Sequence, residues 1–568
     1  MRCSGNAMKS TCCIIALHTG VLLAALPAKA GQSETGGMIV GQAPTTEHRR
    51  PHERAVFGCA NEVRVRLARN EHEGVQILVA PNGRALNGVH VEVVSPVKRR
   101  AWYQCFGKAV SIAPDDIKVY TVGYVQTKKS PRHYRIYDKE RSGEAIPCPV
   151  GWWPDPLLDF VRSVDVDEGT VQGFWVDVFA SESLPAGFYD GMIVVSASNA
   201  GTVNVPFVVR VNDFTLPKVP VMPTAVSIHP PVCQGHDAES VARRDDPNDI
   251  CNIWKRHEDE WTDFAADHLI TVSYLYPQVR PRFDQLMRLK AQGRLGMFNL
   301  GYWRHSDEEG VTGSERWKSM WFSRLDADYA KAKELGILDH AYLYGEDEIP
   351  KRDFAKVAVA AKCIKERYPY VPLLTTCMDQ DYGVDASPLG DIDWFTPLTA
   401  NYDLEKAETS RAAGHKVLWY ISNLPLTGWA NMFVEKEPIE ARLLMGAMAA
   451  KMKVDGFLFY ATCAWAKNTR PIESGPYTSW NPVSFEDYHG CGSWMYCGPD
   501  GRPVSTVRLE NYRDGLEDLA YVKLLKDKGV ELPVPEDVVA DMTHFTQKSA
   551  PLMAWRDKMA DLIEGYNK

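Results

Sequence analysis

Hydrophobic and polar positions alternate with a period of two along much of residues 55–216, most clearly in Glu62–Ala68 and Phe174–Ala180. Such alternation places one face of a strand in a core and the other in water. Turn-forming residues, such as Pro-Asn-Gly at 81–83, separate the runs. Residues 55–216 are therefore predicted to form an antiparallel β-sandwich domain. Trp152–Leu158 lacks the alternation and is predicted to be an ordered loop.

From residue 217 onward, short apolar runs alternate with stretches that are apolar at every third or fourth position. This is the pattern of a parallel α/β fold, in which strands alternate with amphipathic helices. The candidate strands are Thr224–Ile228, Ile270–Tyr274, Gly296–Leu300, Ala341–Tyr344, Leu373–Thr376, Trp394–Pro397, Val417–Ile421 and Gly456–Tyr460. Eight such units predict a TIM-like (β/α)8 barrel with C-terminal helices over residues 217–568. The proline-rich stretch Asp213–Pro223 would link it to the sandwich. A doubly wound open sheet is the alternative, although no G-x-G-x-x-G follows an early strand.

The N-terminus has the three parts of a signal peptide. Arg2 and Lys9 supply positive charge, Cys12–Leu26 is mostly apolar, and Ala-Lys-Ala at 28–30 is a small-residue cleavage pattern. Residues 1–30 are therefore predicted to be cleaved, and residues 31–54, polar and aperiodic, to form a flexible leader. The expected location is secreted or periplasmic.

Composition narrows the class of protein. The formal net charge is −9 and the pI is about 6.0, which argues against a nucleic-acid partner. No later apolar run is long enough to span a membrane. Cysteines show no C-x-x-C spacing of a zinc site, whereas Cys491 and Cys497 are close enough in sequence to be one candidate disulfide.

Three consecutive acids, Glu346, Asp347 and Glu348, follow the apolar run Ala341–Tyr344 and a glycine. Adjacent carboxylates repel one another and raise the pKa of at least one of them, which is tolerated where chemistry needs a protonated carboxyl. The alternative is a solvated loop that starts the next helix, since acids favour a first helical turn and Pro350 suits an early helical position.

The predicted barrel would bring these acids to its mouth, because active sites of such barrels lie at the C-terminal ends of the strands. Tyr302 follows the third strand and Tyr402 the sixth, whereas Trp465, Trp480 and Asn481 follow the eighth. Aromatic faces beside acids and amides suit a sugar, whose C–H face stacks on a ring while its hydroxyls take polar partners. The alternative for Trp465 and Trp480 is packing within the fold.

The adjacency of the acids bears on mechanism. An ordinary retaining glycosidase places two carboxyls about 5–5.5 Å apart across the scissile bond. Neighbours such as Asp347 and Glu348 suit substrate-assisted hydrolysis instead, in which the sugar's own 2-acetamido oxygen attacks the anomeric carbon. A metal site is not predicted, because three consecutive residues cannot easily face one ion and no H-x-x-x-H lies nearby.

Several motifs occur in an order that resembles glycoside hydrolase family 123, the exo-β-N-acetylgalactosaminidases, and the wider bacterial group that shares its C-terminal signature. The motifs are N-E-H-E-G-V-Q at 70–76, G-W-W-P-D-P-L at 151–157, L-P-A-G-F-Y-D-G at 184–191, G-E-D-E-I-P at 345–350, K-V-L-W-Y-I at 416–421, G-F-L-F-Y at 456–460 and V-R-L-E-N-Y-R-D-G-L-E-D-L-A-Y at 507–521. The last is the most specific, and together they cover nearly the whole mature chain.

The resemblance implies a β-sandwich followed by a (β/α)8 barrel, no cofactor, a carbohydrate substrate and a retaining, substrate-assisted mechanism. Carried onto this chain, Asp347 would stabilise the 2-acetamido group and Glu348 would be the general acid/base. No role follows for Glu346.

The resemblance also implies substrate contacts. By motif neighbourhood, Trp419, Tyr420, Tyr460 and Trp480 would surround the sugar. Arg508 would orient hydroxyls, or else belong to a structural Arg–carboxylate network.

Two alternatives to this function remain open. The same fold could act on a glycan without a 2-acetamido group, or it could bind glycans without catalysis, since a fold does not determine a function.

Overall fold

The computed structural model describes residues 37–53, 60–100, 108–128, 135–137, 145–147, 149–228, 237–277, 279–306, 308, 310–425, 428–465 and 467–566. The predicted signal peptide lies outside these ranges. The described residues all belong to one compact unit, Thr35–Lys568. Among their helices, none is long and apolar enough to cross a membrane.

The N-terminal half is rich in β-strands, as predicted. Its strands are β1 (Met38–Ala43), β2 (Val63–Arg69), β3 (Glu71–Pro81), β4 (Leu86–Lys98), β5 (Ile117–Thr127), β6 (Arg135–Tyr137), β7 (Ala145–Pro147), β8 (Gly151–Leu158), β9 (Val164–Val166), β10 (Gln172–Ala180), β11 (Gly187–Ala197) and β12 (Gly201–Thr215). One five-stranded sheet has the order β1-β3-β10-β5-β8, and the other has the order β2-β12-β11-β4-β9. Side chains from both sheets, such as Ile77 and Ile193, form one buried core.

Two predictions in this half are corrected. The segment predicted as a loop at Trp152–Leu158 lies within strand β8, which pairs with β5 at an edge of its sheet. An edge strand tolerates the two prolines because one side of its backbone needs no ladder. The predicted flexible leader contains β1, which pairs antiparallel with β3.

The C-terminal half contains mostly short parallel strands. They are β13 (Thr224–Val226), β14 (Phe298–Trp303), β15 (Ala341–Gly345), β16 (Leu373–Thr375), β17 (Trp394–Phe395), β18 (Lys416–Val417), β19 (Trp419–Tyr420) and β20 (Phe457–Phe459), followed by the hairpin β21 (Tyr496–Cys497) and β22 (Pro503–Val504). Strands β14 to β18 form one parallel sheet in chain order. Strand β20 lies between β13 and β19 in a second parallel sheet.

The predicted closed barrel is not confirmed, because the ladders leave a gap between β13 and β14. The segment Ile270–Tyr274, predicted as the second strand, has no ladder there. Side-chain hydroxyls accept the hydrogen bonds of neighbouring backbone N–H groups instead: Ser227 Oγ from Leu275 at 3.3 Å and Ser273 Oγ from Asn299 at 2.8 Å. These bonds replace ladder pairing with side-chain contacts.

Helices cover the outside of the parallel strands. They are α1 (Ala238–Asp245), α2 (Ile250–Ile253), α3 (Glu258–Asp267), α4 (Phe283–Ala291), α5 (Glu315–Glu334), α6 (Phe354–Arg367), α7 (Leu404–Ala412), α8 (Ile439–Leu443), α9 (Ala449–Lys451), α10 (Val507–Asp527) and α11 (Ser549–Tyr566). One apolar cluster, with Val357 and Leu389, lies between strands and helices, and a smaller cluster with Tyr344 and Tyr420 lies on the opposite face of the parallel strands.

Helix α10 joins the two halves through buried ion pairs. Arg508 donates hydrogen bonds from Nε and Nη2 of its guanidinium to the two carboxyl oxygens of Asp155 in β8, each at 2.8 Å. Arg513 contacts Asp177 of β10 at 3.2 Å. Since removing one partner of a buried pair leaves an uncompensated charge, these contacts tie the sandwich firmly to the parallel strands.

Candidate active site

Strand β15 places the acidic triplet. It lies between β14 and β16, and all five of its residues are buried. Gly345 ends it against Trp303 of β14, where a Cβ atom would lie 2.1 Å from the Trp303 carbonyl oxygen. Only glycine allows this close approach of two backbones.

The backbone after Gly345 separates the three carboxylates. Glu346 has a φ of +56° and Glu348 a φ of +51°, in the left-handed region that costs non-glycine residues about 1 kcal/mol or more each. Glu346 is fully buried, Asp347 is half-buried and Glu348 is exposed. The alternative of a helix start is corrected, because α6 begins at Phe354, after a 3-10 turn at Lys351–Asp353.

Hydroxyl groups from three strand ends hold the Asp347–Glu348 pair. Oδ1 of Asp347 accepts hydrogen bonds from the Tyr344 hydroxyl at 2.5 Å and the Thr376 hydroxyl at 2.9 Å. The backbone N–H of Glu348 donates to Thr376 Oγ1 at 3.0 Å, and the Tyr420 hydroxyl donates to Glu348 Oε1 at 2.6 Å. The carboxyl groups of Asp347 and Glu348 therefore accept hydrogen bonds from different hydroxyl groups.

Glu346 is bound from the loop after β14. Its carboxylate accepts the backbone N–H of His305 and, at 2.7 Å, the ring Nδ1. The hydrogen bond to Glu346 raises the pKa of His305. Burial raises the pKa of Glu346, and the contacts from His305 oppose that rise.

Tyrosines surround the acid pair. The ring centroids of Tyr276 and Tyr302 lie 6.0 and 5.9 Å from that of Tyr344. Burial, followed by the nearby charge of Asp347, raises the pKa of Tyr302 to about 12 and that of Tyr276 further. These hydroxyls therefore stay protonated at neutral pH and can donate hydrogen bonds.

A groove of about 760 Å³ runs along Tyr276 and Tyr302 and continues past Arg280 to α5. Tyr276 belongs to both the groove and the tyrosine cluster. It was not predicted, although it lies two residues after the end of the predicted second strand and the same siting rule could have found it. No pattern in the sequence identifies Thr376 and His305 as site residues, because their roles depend on hydrogen bonds between loops.

One predicted substrate-binding residue contacts the acid pair, and a second lies near Tyr276 of the tyrosine cluster. Tyr420 contacts Glu348 directly. Tyr460, at the end of β20, is close enough to Tyr276 for the two to interact electrostatically, and its ring lies 5.3 Å from the exposed Phe485.

The structure turns Trp419 and Tyr402 away from the site, which corrects their prediction. Successive residues of a strand face opposite sides. Tyr420 faces the interior, so Trp419 faces the helices, where its ring centroid lies 5.6 Å from that of Tyr402. The Tyr402 hydroxyl donates to the Met452 carbonyl at 2.9 Å in the same outer layer.

Two residues of the loop after β20 are also corrected. Trp465 and Trp480 are buried and pack edge-on with centroids 5.8 Å apart, and the Trp465 indole N–H donates to the Met495 carbonyl at 2.8 Å. Asn481 is exposed and its side-chain oxygen accepts the Val483 N–H at 3.0 Å, so its contact with substrate stays a prediction.

Arg508 belongs to the structural network, as its alternative proposed. It is buried, and besides Asp155 it donates to the carbonyl oxygens of Met432 and Gly490 at 2.9 Å and Ser493 at 2.6 Å. Its guanidinium is fully engaged, which leaves little capacity for a substrate hydroxyl.

Two observations concern other chemistry. In the part of the chain that the structure describes, no group of three or more His, Cys, Asp or Glu side chains is arranged to hold a metal ion. The candidate disulfide is corrected, because Cys491 and Cys497 are both free thiols.

A comparison with protein-family models matches part of the chain to one family. Residues 301–525 match the model of the glycoside hydrolase 123 catalytic domain. No curated protein matches the chain. A family 123 glycoside hydrolase from Clostridium perfringens, studied for glycolipid glycan hydrolysis, is similar in structure, with a TM-score of 0.66 and 13% identity over 93% of this chain and 98% of that one. This likeness concerns the fold.

A more distant structure is a family 39 glycoside hydrolase from Bacteroides cellulosilyticus. Its TM-score is 0.33, with 10% identity over 71% of this chain and 83% of that one, too low to carry an argument. The family model spans the parallel strands from β14 onward and includes the acid pair and α10. Residues 301–525 are therefore similar to the catalytic domain of the family 123 glycoside hydrolases.

Proposed function

We propose that this protein is a glycosidase that releases terminal β-linked N-acetylhexosamine, with N-acetylgalactosamine as the preferred sugar. Hydrolysis retains the configuration of the anomeric carbon, and the substrate's own acetamido group takes part in it. Asp347 stabilises that group and Glu348 is the general acid/base. The observation that carries the proposal is the divergence of two adjacent carboxylates, each held by a tyrosine hydroxyl from a different strand.

The contacts of Asp347 suit its role. Tyr344 and Thr376 both donate to Oδ1. Among the described residues none donates to Oδ2, which therefore has lone pairs to accept the N–H of an acetamido group. Polarising that N–H makes the acetamido oxygen a better nucleophile toward the anomeric carbon.

The contacts of Glu348 suit proton transfer. Its side chain is exposed while Tyr420 fixes the direction of Oε1. In the first step the acetamido oxygen forms a bond to the anomeric carbon, and the glycosidic bond breaks as Glu348 gives its proton to the leaving oxygen. In the second step Glu348 takes a proton from water, which opens the cyclic intermediate and leaves the product with its original configuration.

The surroundings favour a sugar with an apolar face. Tyr276 and Tyr302 border both the acid pair and the groove, so a sugar ring can stack there while the remainder of a glycolipid or other glycoconjugate follows the groove. The predicted signal peptide supports action outside the cytoplasm.

Hydrolysis of aryl N-acetyl-β-galactosaminides, N-acetyl-β-glucosaminides and simple hexosides tests the proposal. We expect turnover of the first class, loss of turnover in Glu348→Gln and unchanged turnover in the control Glu405→Gln, an exposed acid on α7. A thiazoline mimic of the cyclised acetamido group should inhibit. Turnover of hexosides without thiazoline inhibition would favour a glycan that lacks the acetamido group. Binding without turnover of any glycoside would favour a glycan-binding protein.

A further inference from the structure

Glu346 takes no part in the proposed proton transfers, yet it is the most deeply buried acid of the triplet. It is fully shielded from solvent and has a left-handed backbone. Burying a carboxylate and straining its backbone both cost free energy. Strained, buried groups of this kind persist where surrounding contacts determine them strongly, most often at functional sites.

The contacts of Glu346 connect three strand ends. Its carboxylate accepts two N–H groups of His305, in the loop after β14. Its carbonyl oxygen accepts the Thr375 hydroxyl at 3.0 Å and the Cys377 thiol at 3.5 Å, from the end of β16. Thr376 lies between those two residues and is the one that binds Asp347 and Glu348.

The geometry points to a positioning role. We propose that Glu346 and His305 form a pair that holds the turn after β15 in the strained shape in which Asp347 and Glu348 diverge, and that the rate of bond cleavage depends on this pair although neither member touches substrate. The inference deepens the proposed function and rests on it. It assigns a role to the third acid, which the resemblance to the family leaves without one.

The charges around the pair fit this role. The backbone N–H of His305 donates to one carboxyl oxygen of Glu346, and ring Nδ1 lies 2.7 Å from the other. With a proton on Nδ1 the ring donates as well, and Glu346 accepts through both oxygens. The other titratable groups that act on the pair are Arg304 and Tyr302 from β14 and its loop, Cys377 after β16, and Asp353 and Lys356 near His305. Arg304 and His305 lower the pKa of Glu346 against the effect of burial.

The test compares Glu346→Gln, His305→Ala and the double variant with wild type, using an aryl substrate that wild type cleaves. We expect kcat to fall about 10- to 100-fold in each single variant, as for a small misplacement of reacting groups. KM should stay within threefold of wild type, because Glu346 is shielded from solvent. The double variant should lose no more of the wild-type kcat than either single variant does. His305→Asn, whose amide places a donor near the Nδ1 position, should recover most of kcat. His340→Ala, at the opposite end of β15, is the control.

The pH profile adds a readout that loss of packing alone would not change. Without His305 the pKa of Glu346 rises, so the acid limb of kcat should move to higher pH in His305→Ala, whereas Glu346→Gln should show no such move. A kcat within threefold of wild type in the folded Glu346→Gln and His305→Ala variants would overturn the pair's role, as would an unmoved acid limb in His305→Ala. If wild type cleaved no aryl glycoside at all, the proposed function would fall first and this inference with it.

Discussion

The hydroxyl of Tyr344 gives the sharpest test of the Asp347 assignment. It donates to Oδ1 at 2.5 Å from a side chain that is itself fully buried. Tyr344→Phe removes that donor and changes little else in volume. A hydrogen bond to a charged group is worth about 1.5–3 kcal/mol, which corresponds to roughly a 10- to 150-fold change in rate.

The expected loss lies in the lower part of that range. Thr376 still donates to the same oxygen at 2.9 Å, so we expect kcat to fall about 10- to 30-fold. KM should change less than kcat, because the Tyr344 side chain is shielded from solvent. Burial, followed by the charge of Asp347, raises the pKa of Tyr344 well above its usual value, so the hydroxyl stays protonated and the loss should be the same from pH 5 to 8.

The assay is steady-state hydrolysis of an aryl N-acetyl-β-galactosaminide, with melting temperature measured alongside. Tyr342→Phe is the matched control, since Tyr342 is buried on the same face of β15 but makes no bond to the acid pair. Adding Thr376→Val to Tyr344→Phe should lower kcat by a further factor of about ten. Equal activity of Tyr344→Phe and Tyr342→Phe would refute the reasoning.

Three further predictions follow from buried contacts. Gly345→Ala should abolish measurable turnover and lower the melting temperature, because its Cβ would lie 2.1 Å from the Trp303 carbonyl oxygen; full activity would refute the close approach. Arg508→Met should cost about 3–5 kcal/mol in urea unfolding by leaving the buried Asp155 without its ion-pair partner, while kcat of the folded fraction stays within threefold, and a selective loss of kcat would return Arg508 to the substrate site. Burial raises the pKa of Asp514, so the folded state holds a proton that the unfolded state has released, and this contribution to stability is lost as pH rises from about 4 to 8. Asp514→Asn should therefore flatten the decline in melting temperature over that range, whereas an unchanged slope would contradict it.

The patterns that predicted elements well are those governed by burial in a core. The alternation in Phe174–Ala180 predicted β10 because Phe174, Val176 and Val178 lie in the sandwich core, although most of the alternate positions are buried as well. The apolar run at 341–344 predicted β15 for a similar reason: it is buried throughout, and the acids fall at its end. In both cases local sequence and final environment agree.

The predictions that went wrong concern residues whose environment is set by distant parts of the chain. The side-chain hydroxyls that replace ladder bonds around 270–275 come from Ser227 and Ser273, on different segments. Strand β8 was missed because Trp152–Leu158 lacks alternation, and because its two prolines fit a strand only at a sheet edge, a position that depends on the order of five strands. Likewise, assigning Trp419 and Tyr420 together to one sugar ignored that neighbours on a strand face opposite sides.

The acidic triplet shows why the adjacency of charges is informative only together with the backbone. On a regular strand Glu346 and Glu348 would point to the same side and repel each other, whereas two left-handed residues turn Glu346 into the interior and Glu348 into solvent. The strain of those two residues is offset by bonds from His305, Thr375 and Thr376, all outside the triplet. A site of this kind cannot be transplanted as a motif, because G-E-D-E placed on another strand would lack the neighbours that keep its carboxylates apart. Activity should therefore respond to changes in the loops after β14 and β16 as strongly as to changes in the acids' hydroxyl partners.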